Sequence, residues 1–429
     1  MYPLAKLLRG RGYKISGSDR NAREKSYIDD CGIRITRGDG TMGGAGLVVY
    51  SLAIDESDPE ILTAKALGIP LISRAQLLGA LMRECPIGVS VSGSHGKSTV
   101  TAMLDRILSV SATAHTTVCG ATLAHGEAYT DGGGIFVAEA CEYKDSFLRL
   151  SPTHQLITAV ELDHTDYFPT LEDIRASFLK AAKKAPHTFI NIDDTVAREI
   201  ATDKEIKARA DGEIITYGYS DGADYRICDV NRNGKYTTFK IAAKDRAFNL
   251  KTSLIGAFNL YNIAAAVTVA DRLGIAASHI ESAIEGFLPI ERRLSLICTV
   301  NGAPVYYDYA HHPSEIGAVI DALRERYGSL TVIFRPHTYS RTQSLWREFI
   351  SALSKADFTI LLDIYPAREK SIEGVDSKIL ANLIKNCTYA TMRDAALLAT
   401  SYRVGAIALL GAGEVDEVKR DLVGFGKEN

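Results

Sequence analysis

One stretch constrains this chain more than any other: Val89-Ser90-Val91-Ser92-Gly93-Ser94-His95-Gly96-Lys97-Ser98-Thr99. An apolar, β-branched run passes through a glycine-rich turn into a helical pattern expected from Ser98 to about Ser109. The first N–H groups of such a helix have no partner inside it and point outward, which makes an anion site. Gly93 and Gly96 let the backbone approach phosphate oxygens, with Ser94 and His95 between them. Lys97 supplies a point charge, and the hydroxyl of Ser98 or Thr99 can ligate Mg²⁺. The spacing is compressed: two residues separate the glycines instead of the usual four, and Val91 stands where the first glycine would be. A nucleotide triphosphate site is the reading favoured over a plain corner with an incidental lysine.

With 429 residues the chain has room for about three domains. Its 46% hydrophobic and 24% charged residues are ordinary for a globular protein, and a net charge of −3 gives no case for nucleic acid. No apolar run approaches the roughly 20 residues of a membrane span, so no membrane insertion is expected. The seven cysteines are scattered, with no C-x-x-C pair, and read as thiols in a reducing compartment, expected to be the cytoplasm.

Before the phosphate turn, a helical pattern (Tyr2 to Leu8) leads to a strand pattern at Tyr13-Lys14-Ile15-Ser16. Gly46 to Tyr50 and Pro70 to Ile72 read as strands around a helix from Glu60 to Leu67. Alternation of this kind predicts a parallel sheet covered by helices. A dinucleotide-type fold would open with a strand and a glycine-rich turn, so the opening is expected to be truncated by that unit. Gly10-Arg11-Gly12 reads as a helix stop. Strand patterns recur at Gly134 to Ala138, Gln155 to Val160 and Thr188 to Ile192, and residues 211–250 predict an antiparallel edge. Helices are expected at Thr170 to Ala185, Asn259 to Leu273 and Ser278 to Gly286, with Phe287-Leu288-Pro289 as a linker. Four further strands, at Val305 to Tyr309, Leu330 to Phe334, Phe358 to Asp363 and Ala406 to Leu410, predict a last doubly wound unit. The expected fold is therefore α/β in three domains. These are a truncated Rossmann-like unit over 1–84, a central P-loop unit over 85–287 and a Rossmann-like unit over 288–429.

Acidic groups follow the phosphate turn. Glu139 ends one apolar strand, and Glu161-Leu162-Asp163-His164 follows another, where α/β sheets place ligand groups. Carboxylate and imidazole beside phosphate suit divalent cations. Asn259 and Asn262 share a helix face, and their amides suit either adenine or a helix cap. In the last unit, Asp308-Tyr309-Ala310-His311-His312-Pro313 and Arg335-Pro336-His337-Thr338-Tyr339-Ser340-Arg341-Thr342 are expected on adjacent strand ends. There they would gather phosphate and carboxylate groups in a cleft more readily than form a metal pair.

Taken together, these runs resemble the Mur ligases along nearly the whole chain. The turn is similar to the family's G-T-H-G-K-T-T, and Glu161 to His164 to its E-x-D-H segment. Asn259 with Asn262 is similar to its N-x-x-N helix. Asp308 to Pro313, Pro336 to Thr342 and Asp363-Ile364-Tyr365-Pro366-Ala367-Arg368-Glu369 resemble runs that mark the alanine-adding branch. The resemblance implies ATP-dependent amide formation. The lactyl carboxylate of UDP-N-acetylmuramate would be phosphorylated, and the amine of L-alanine would attack the acyl phosphate, in a monomer or homodimer. By position it implies Lys97 on the β- and γ-phosphates, Ser98 and Glu139 on a first Mg²⁺ and His164 on a second. Asn259 and Asn262 would meet adenine, Asp308 the ribose and Arg293 the phosphates, while His311, His337 and Arg341 would face alanine and the acyl phosphate. Leu52, Ala159 and Pro289 depart from the family pattern, and none of them falls on an ATP position. The alternatives are a ligase that attaches a recycled peptide and a catalytically impaired nucleotide-binding homologue.

Overall fold

The computed structural model describes the chain except for residues 20–21, 23–25, 39–41, 43, 209–211, 368 and 428–429. Arg368, part of the run that begins at Asp363, lies outside the described residues.

A ten-stranded sheet forms the middle of the molecule. Its core is parallel. The strand that ends in the glycine turn, Ile87–Ser92, lies between Ile135–Glu139 and His154–Ile157. Beyond Ile135–Glu139 come His115–Val118 and an antiparallel Tyr129–Asp131. On the other side follow His187–Asn191 and Glu213–Gly218, then the expected edge, Tyr225–Asn233, Tyr236–Ala242 and Ala247–Thr252, whose last two pairings are antiparallel. Alternation decides which face each side chain serves. Val137 joins the core under the helices Lys97–Val110 and Ala257–Arg272, while Phe136 and Ala138 point to the opposite core with Phe147 and Phe178. The helix Leu171–Lys184 that covers this second face starts where expected, on a reciprocal cap between Thr170 and Asp173.

The carboxyl ends of the parallel strands all open on one side, and the turn is built there. Gly93 has φ +133°, and a Cβ on it would fall 2.0 Å from Thr158 Oγ1. Gly96 has φ +84°, and a Cβ there would fall 2.3 Å from Asn262 Oδ1. Both positions therefore exclude side chains, for conformational and for steric reasons. No side chain caps the helix Lys97–Val110, which leaves its first turn facing outward.

A six-stranded sheet faces that opening. Its order is Ser295–Val300, Ala303–Asp308, Ala406–Leu410, Leu330–Phe334, Phe358–Leu361, Cys387–Tyr389, with only the first strand antiparallel. The strands carrying Asp308 and Arg335 are thus not adjacent, contrary to the expectation from sequence, because Ala406–Leu410 lies between them. Ala406–Leu410 is fully buried and pairs with both, as the most apolar strand of a doubly wound sheet does.

The alternation expected over the first 85 residues is only partly present: among the described residues four short strands in a row separate the helices Tyr2–Gly10 and Pro59–Ala66, and the described strands pair in two small sheets instead of one. Ser16–Ser18, Arg34–Thr36 and Ser26–Ile28 form one, and Val48–Tyr50 with Leu71–Ser73 the other. The strand expected at Tyr13 to Ser16 begins at Ser16, and Ser16, Gly17 and Ser18 are all exposed, with nothing apolar to bury. The helix Tyr2–Gly10 stops at Gly12, φ +91°, as expected, and sinks Leu4 and Leu7 into the second core of the ten-stranded sheet. Among the described residues no helix is long and apolar enough to cross a membrane.

Candidate active site between the two large sheets

Where the two large sheets meet, nearly every group singled out from sequence comes together. Lys97 Nζ donates to the Gly93 carbonyl at 2.6 Å and to Glu142 at 3.0 and 3.1 Å. Burial alone would lower the Lys97 pKa, but the buried Glu142 carboxylate outweighs it and holds the ammonium well above its usual value. Ser98 Oγ donates to Glu139 Oε1 at 3.0 Å, and the other Glu139 oxygen accepts from the Gly120 N–H at 2.6 Å. Arg293 reaches across from the start of the six-stranded unit, placing Nη2 3.2 Å from Ser98 Oγ. His164 has φ +54° and sits with Nε2 3.7 Å from Glu142 and its ring 4.8 Å from that of Tyr143.

Asn262 donates to Asn259 Oδ1 at 3.1 Å, and Asn259 donates to the Ile255 carbonyl at 2.8 Å. Both line a cavity of about 250 Å³ shared with Gly96, Thr99, Arg293 and Asp308. Asp308 is buried, and its two oxygens accept from the N–H groups of Leu294 and Ala310 at 2.6 and 2.7 Å. Burial outweighs Arg293 and those bonds and raises the Asp308 pKa to about 6.

From the six-stranded side, Arg341 donates to Asp163 Oδ1 at 2.7 Å and to His337 Nδ1 at 3.2 Å. Burial would raise the Asp163 carboxyl, but Arg341, through its charge and its hydrogen bond, together with smaller contributions from its neighbours, holds it far below its usual range. The rings of His311 and His337 lie 5.9 Å apart although they come from non-neighbouring strands. Burial lowers both imidazoles to about 4, so both are neutral at pH 7. Ser94 and His95, between the two glycines of the turn, bind neighbouring segments. Ser94 N–H donates to the Ala159 carbonyl at 2.8 Å, and its Oγ accepts from the Glu161 N–H at 2.9 Å. His95 lies between Glu315, 2.9 Å from Nδ1, and Glu161, 3.1 Å from Nε2.

Three partners escaped the sequence reading: Glu142 beside Lys97, Glu315, and Asp163 as the acceptor of Arg341. Glu315 carries a local signal, since His312-Pro313-Ser314-Glu315 is a reciprocal cap with proline at the first helical position. The pairing of Asp163 with Arg341 spans 178 residues and has no local signal.

A glycine-built anion turn with a caged lysine, facing a second α/β sheet that brings arginine and neutral histidines, defines a nucleotide-dependent enzyme whose site closes between two sheets. The chain belongs to the Mur ligase family. Its sequence matches the Mur ligase middle domain over residues 91–270, the Mur ligase glutamate ligase domain over 292–413 and the Mur ligase family catalytic domain over 1–85. A relative from Agathobacter rectalis, a UDP-N-acetylmuramate–L-alanine ligase, is 36% identical over 393 residues, covering 90% of this chain and 85% of that protein. Among solved structures, the fold is shared with the UDP-N-acetylmuramate–alanine ligase of Thermotoga maritima, with a TM-score of 0.81 at 22% identity, over 100% of this chain and 96% of that one. It is also shared with a murein peptide ligase of Psychrobacter arcticus, with a TM-score of 0.70 at 19% identity, over 99% and 96%.

Proposed function

We infer that this chain is an ATP-dependent ligase that joins L-alanine to UDP-N-acetylmuramate in peptidoglycan precursor synthesis. The observation that carries the reading is the full-length likeness to enzymes of that name, together with the gathering of Lys97, Ser98, Glu139, Arg341 and His337 at one junction.

The chemistry asks for charge neutralisation and alignment more than for a protein nucleophile. On this reading residues 1–84 serve the sugar nucleotide, 85–287 the ATP and 288–429 the amino acid. Lys97 exchanges Glu142 for the β- and γ-phosphates, and Arg293 adds a second positive charge. Asn259 and Asn262 hold the adenine end of the cavity, Thr99 lines it, and Asp308 serves the ribose. The donor set Ser98 Oγ and Glu139 is all oxygen and hard, which fits Mg²⁺, and His164 beside Glu142 would serve a second ion. Bound there, Mg²⁺ supplies neutralisation of phosphate charge.

The lactyl carboxylate takes the γ-phosphoryl group and becomes an acyl phosphate. The alanine amine then displaces phosphate, and Arg341 is placed to meet the charge that develops on it. His311 is neutral, and its Nδ1 lies 3.0 Å from the Tyr309 carbonyl. That bond assigns the proton to Nδ1 and leaves the Nε2 lone pair for the incoming amine.

The test is phosphate release measured with each substrate omitted in turn. One phosphate per amide, needing both UDP-N-acetylmuramate and L-alanine, is the expected result. Release that persists without sugar nucleotide, or that is faster with a tripeptide than with alanine, overturns the reading.

A further inference from the structure

We propose that His95, Glu161 and His312 form a binding site for a divalent transition-metal ion of the zinc class, separate from the oxygen donors Ser98 and Glu139. Two imidazoles and one carboxylate make an N₂O set, which suits zinc and its neighbours and not Mg²⁺. One ligand atom from each residue lies within 4.8 Å of the others. Glu161 Oε2 is 3.1 Å from His95 Nε2 and 3.4 Å from His312 Nδ1. Ligands held at zinc distances in a tetrahedron stand about 3.3 Å apart, so those two edges are already close to length.

Each donor atom is the correct one. His312 turns Nδ1 toward the cluster, 3.4 Å from Glu161 Oε2, and ligation there would replace its 3.4 Å contact with the Ser314 N–H. His95 has its other nitrogen, Nδ1, 2.9 Å from Glu315 Oε1. A carboxylate behind a histidine in this way fixes the ring and leaves Nε2 as the ligating nitrogen. The centre of the three is filled by a single atom. Ser314 Oγ lies 2.6 Å from Glu161 Oε2, 2.7 Å from His312 Nδ1 and 3.1 Å from His95 Nε2. Ser314 is at the surface, and rotation about one bond removes its hydroxyl from the centre or turns it into a fourth ligand.

The site joins two sheets. His95 and Glu161 belong to the strand ends of the ten-stranded sheet, and His312 to the six-stranded one. An ion there fastens the junction shut. It also shares a wall of the cavity that holds Asn259 and Asn262, so its occupation slows exchange of whatever fills that cavity.

The test is equilibrium dialysis of the whole chain against Zn²⁺ in excess Mg²⁺, with Co²⁺ as a coloured substitute. One equivalent of zinc is expected, and Co²⁺ should give the intense visible bands of a four- or five-coordinate site. His312→Asn keeps a helix cap and removes the imidazole, and with Glu161→Gln it should weaken zinc at least about 30-fold. Glu315→Gln should weaken it by roughly 10-fold or more through His95. Ser98→Ala and His164→Ala should leave zinc affinity unchanged. Circular dichroism of each variant separates loss of ligand from loss of fold. Zinc affinity that survives His312→Asn overturns the proposal. So does zinc that is lost when the cysteines are alkylated, or Co²⁺ spectra of a six-coordinate oxygen site.

Discussion

The ten-stranded sheet has two junctions, and they are held in opposite ways. Toward the first 85 residues its charged contacts are Lys6 to Glu127 and Arg11 to Asp131, pairs in which one partner is open to solvent. Toward the six-stranded sheet the contacts are Arg341 to Asp163, His95 to Glu315 and Arg293 to Ser98, and these groups are largely buried. Solvent-exposed pairs are weak and screened by salt, whereas a buried charge left without its partner is costly. The charged rim of the first junction therefore tolerates change, while Leu4 and Leu7 beneath it are buried in the core. The second is a set of mutually dependent charges, and it is also where the substrate-handling groups lie.

The largest effect should come from Lys97→Ala, which removes the charge intended for the phosphates. Turnover is expected to fall by about 10²–10³-fold in an ADP-coupled assay. Near-native turnover would mean that the caged lysine does not serve the site.

Asp163→Ala should come next, since it strands the buried Arg341 charge and should cost about 3 kcal/mol in denaturant unfolding. The double variant with Arg341→Ala should recover much of that loss. Additive losses would show that the two residues do not act as a pair.

A smaller and titratable effect belongs to His95 in the metal-free protein, where zinc at Nε2 would have to displace the proton this ring carries. Burial alone would lower its pKa, but Glu315 and Glu161 raise it to about 10, against 6.5 for a free histidine. Because the folded value is the higher one, this contribution is complete below about pH 6.5 and disappears as pH rises through about 10. Hydrogen exchange at residues 311–316 should accelerate across that window, and Glu315→Gln should flatten the profile. A profile unchanged by Glu315→Gln would remove His95 from the junction.

The smallest effect should be Arg11→Ala at the other junction, no more than about 1 kcal/mol and shrinking with salt. A larger, salt-independent loss would erase the contrast between the two junctions.

The sequence made much of this readable, and the limits follow from locality. Continuous apolar runs such as Gly134 to Ala138 and the Thr170 cap are local patterns, and the strand and helix they predict are present. Strand order is not local: the insertion of Ala406–Leu410 between the strands that lead to Asp308 and Arg335 depends on pairing partners far away in the chain, such as Val305 with Ile407 and Leu330 with Ala406. The edge strand Ser295–Val300 was missed because its outward positions are exposed and its apolar alternation is broken by a register shift between Leu296 and Cys298. In the site, residue types at strand ends identified donors such as Lys97 and Arg341, but not what they pair with in the closed junction. His164 and Thr338 take positive φ, at +54° and +66°, without the glycine that would have announced it.

The contact between Gly96 and Asn262 has a consequence for how this chain can change over generations. A single added carbon at position 96 would land 2.3 Å from the Asn262 amide oxygen, so the two positions cannot drift independently. A lineage that gains a side chain at 96 must first, or at the same time, shorten residue 262. Since 262 belongs to the base end of the cavity and 96 to the phosphate turn, neutral variation at one end is blocked by the other. In a library randomised at both positions, survivors carrying alanine at 96 should be confined to clones with glycine, alanine or serine at 262.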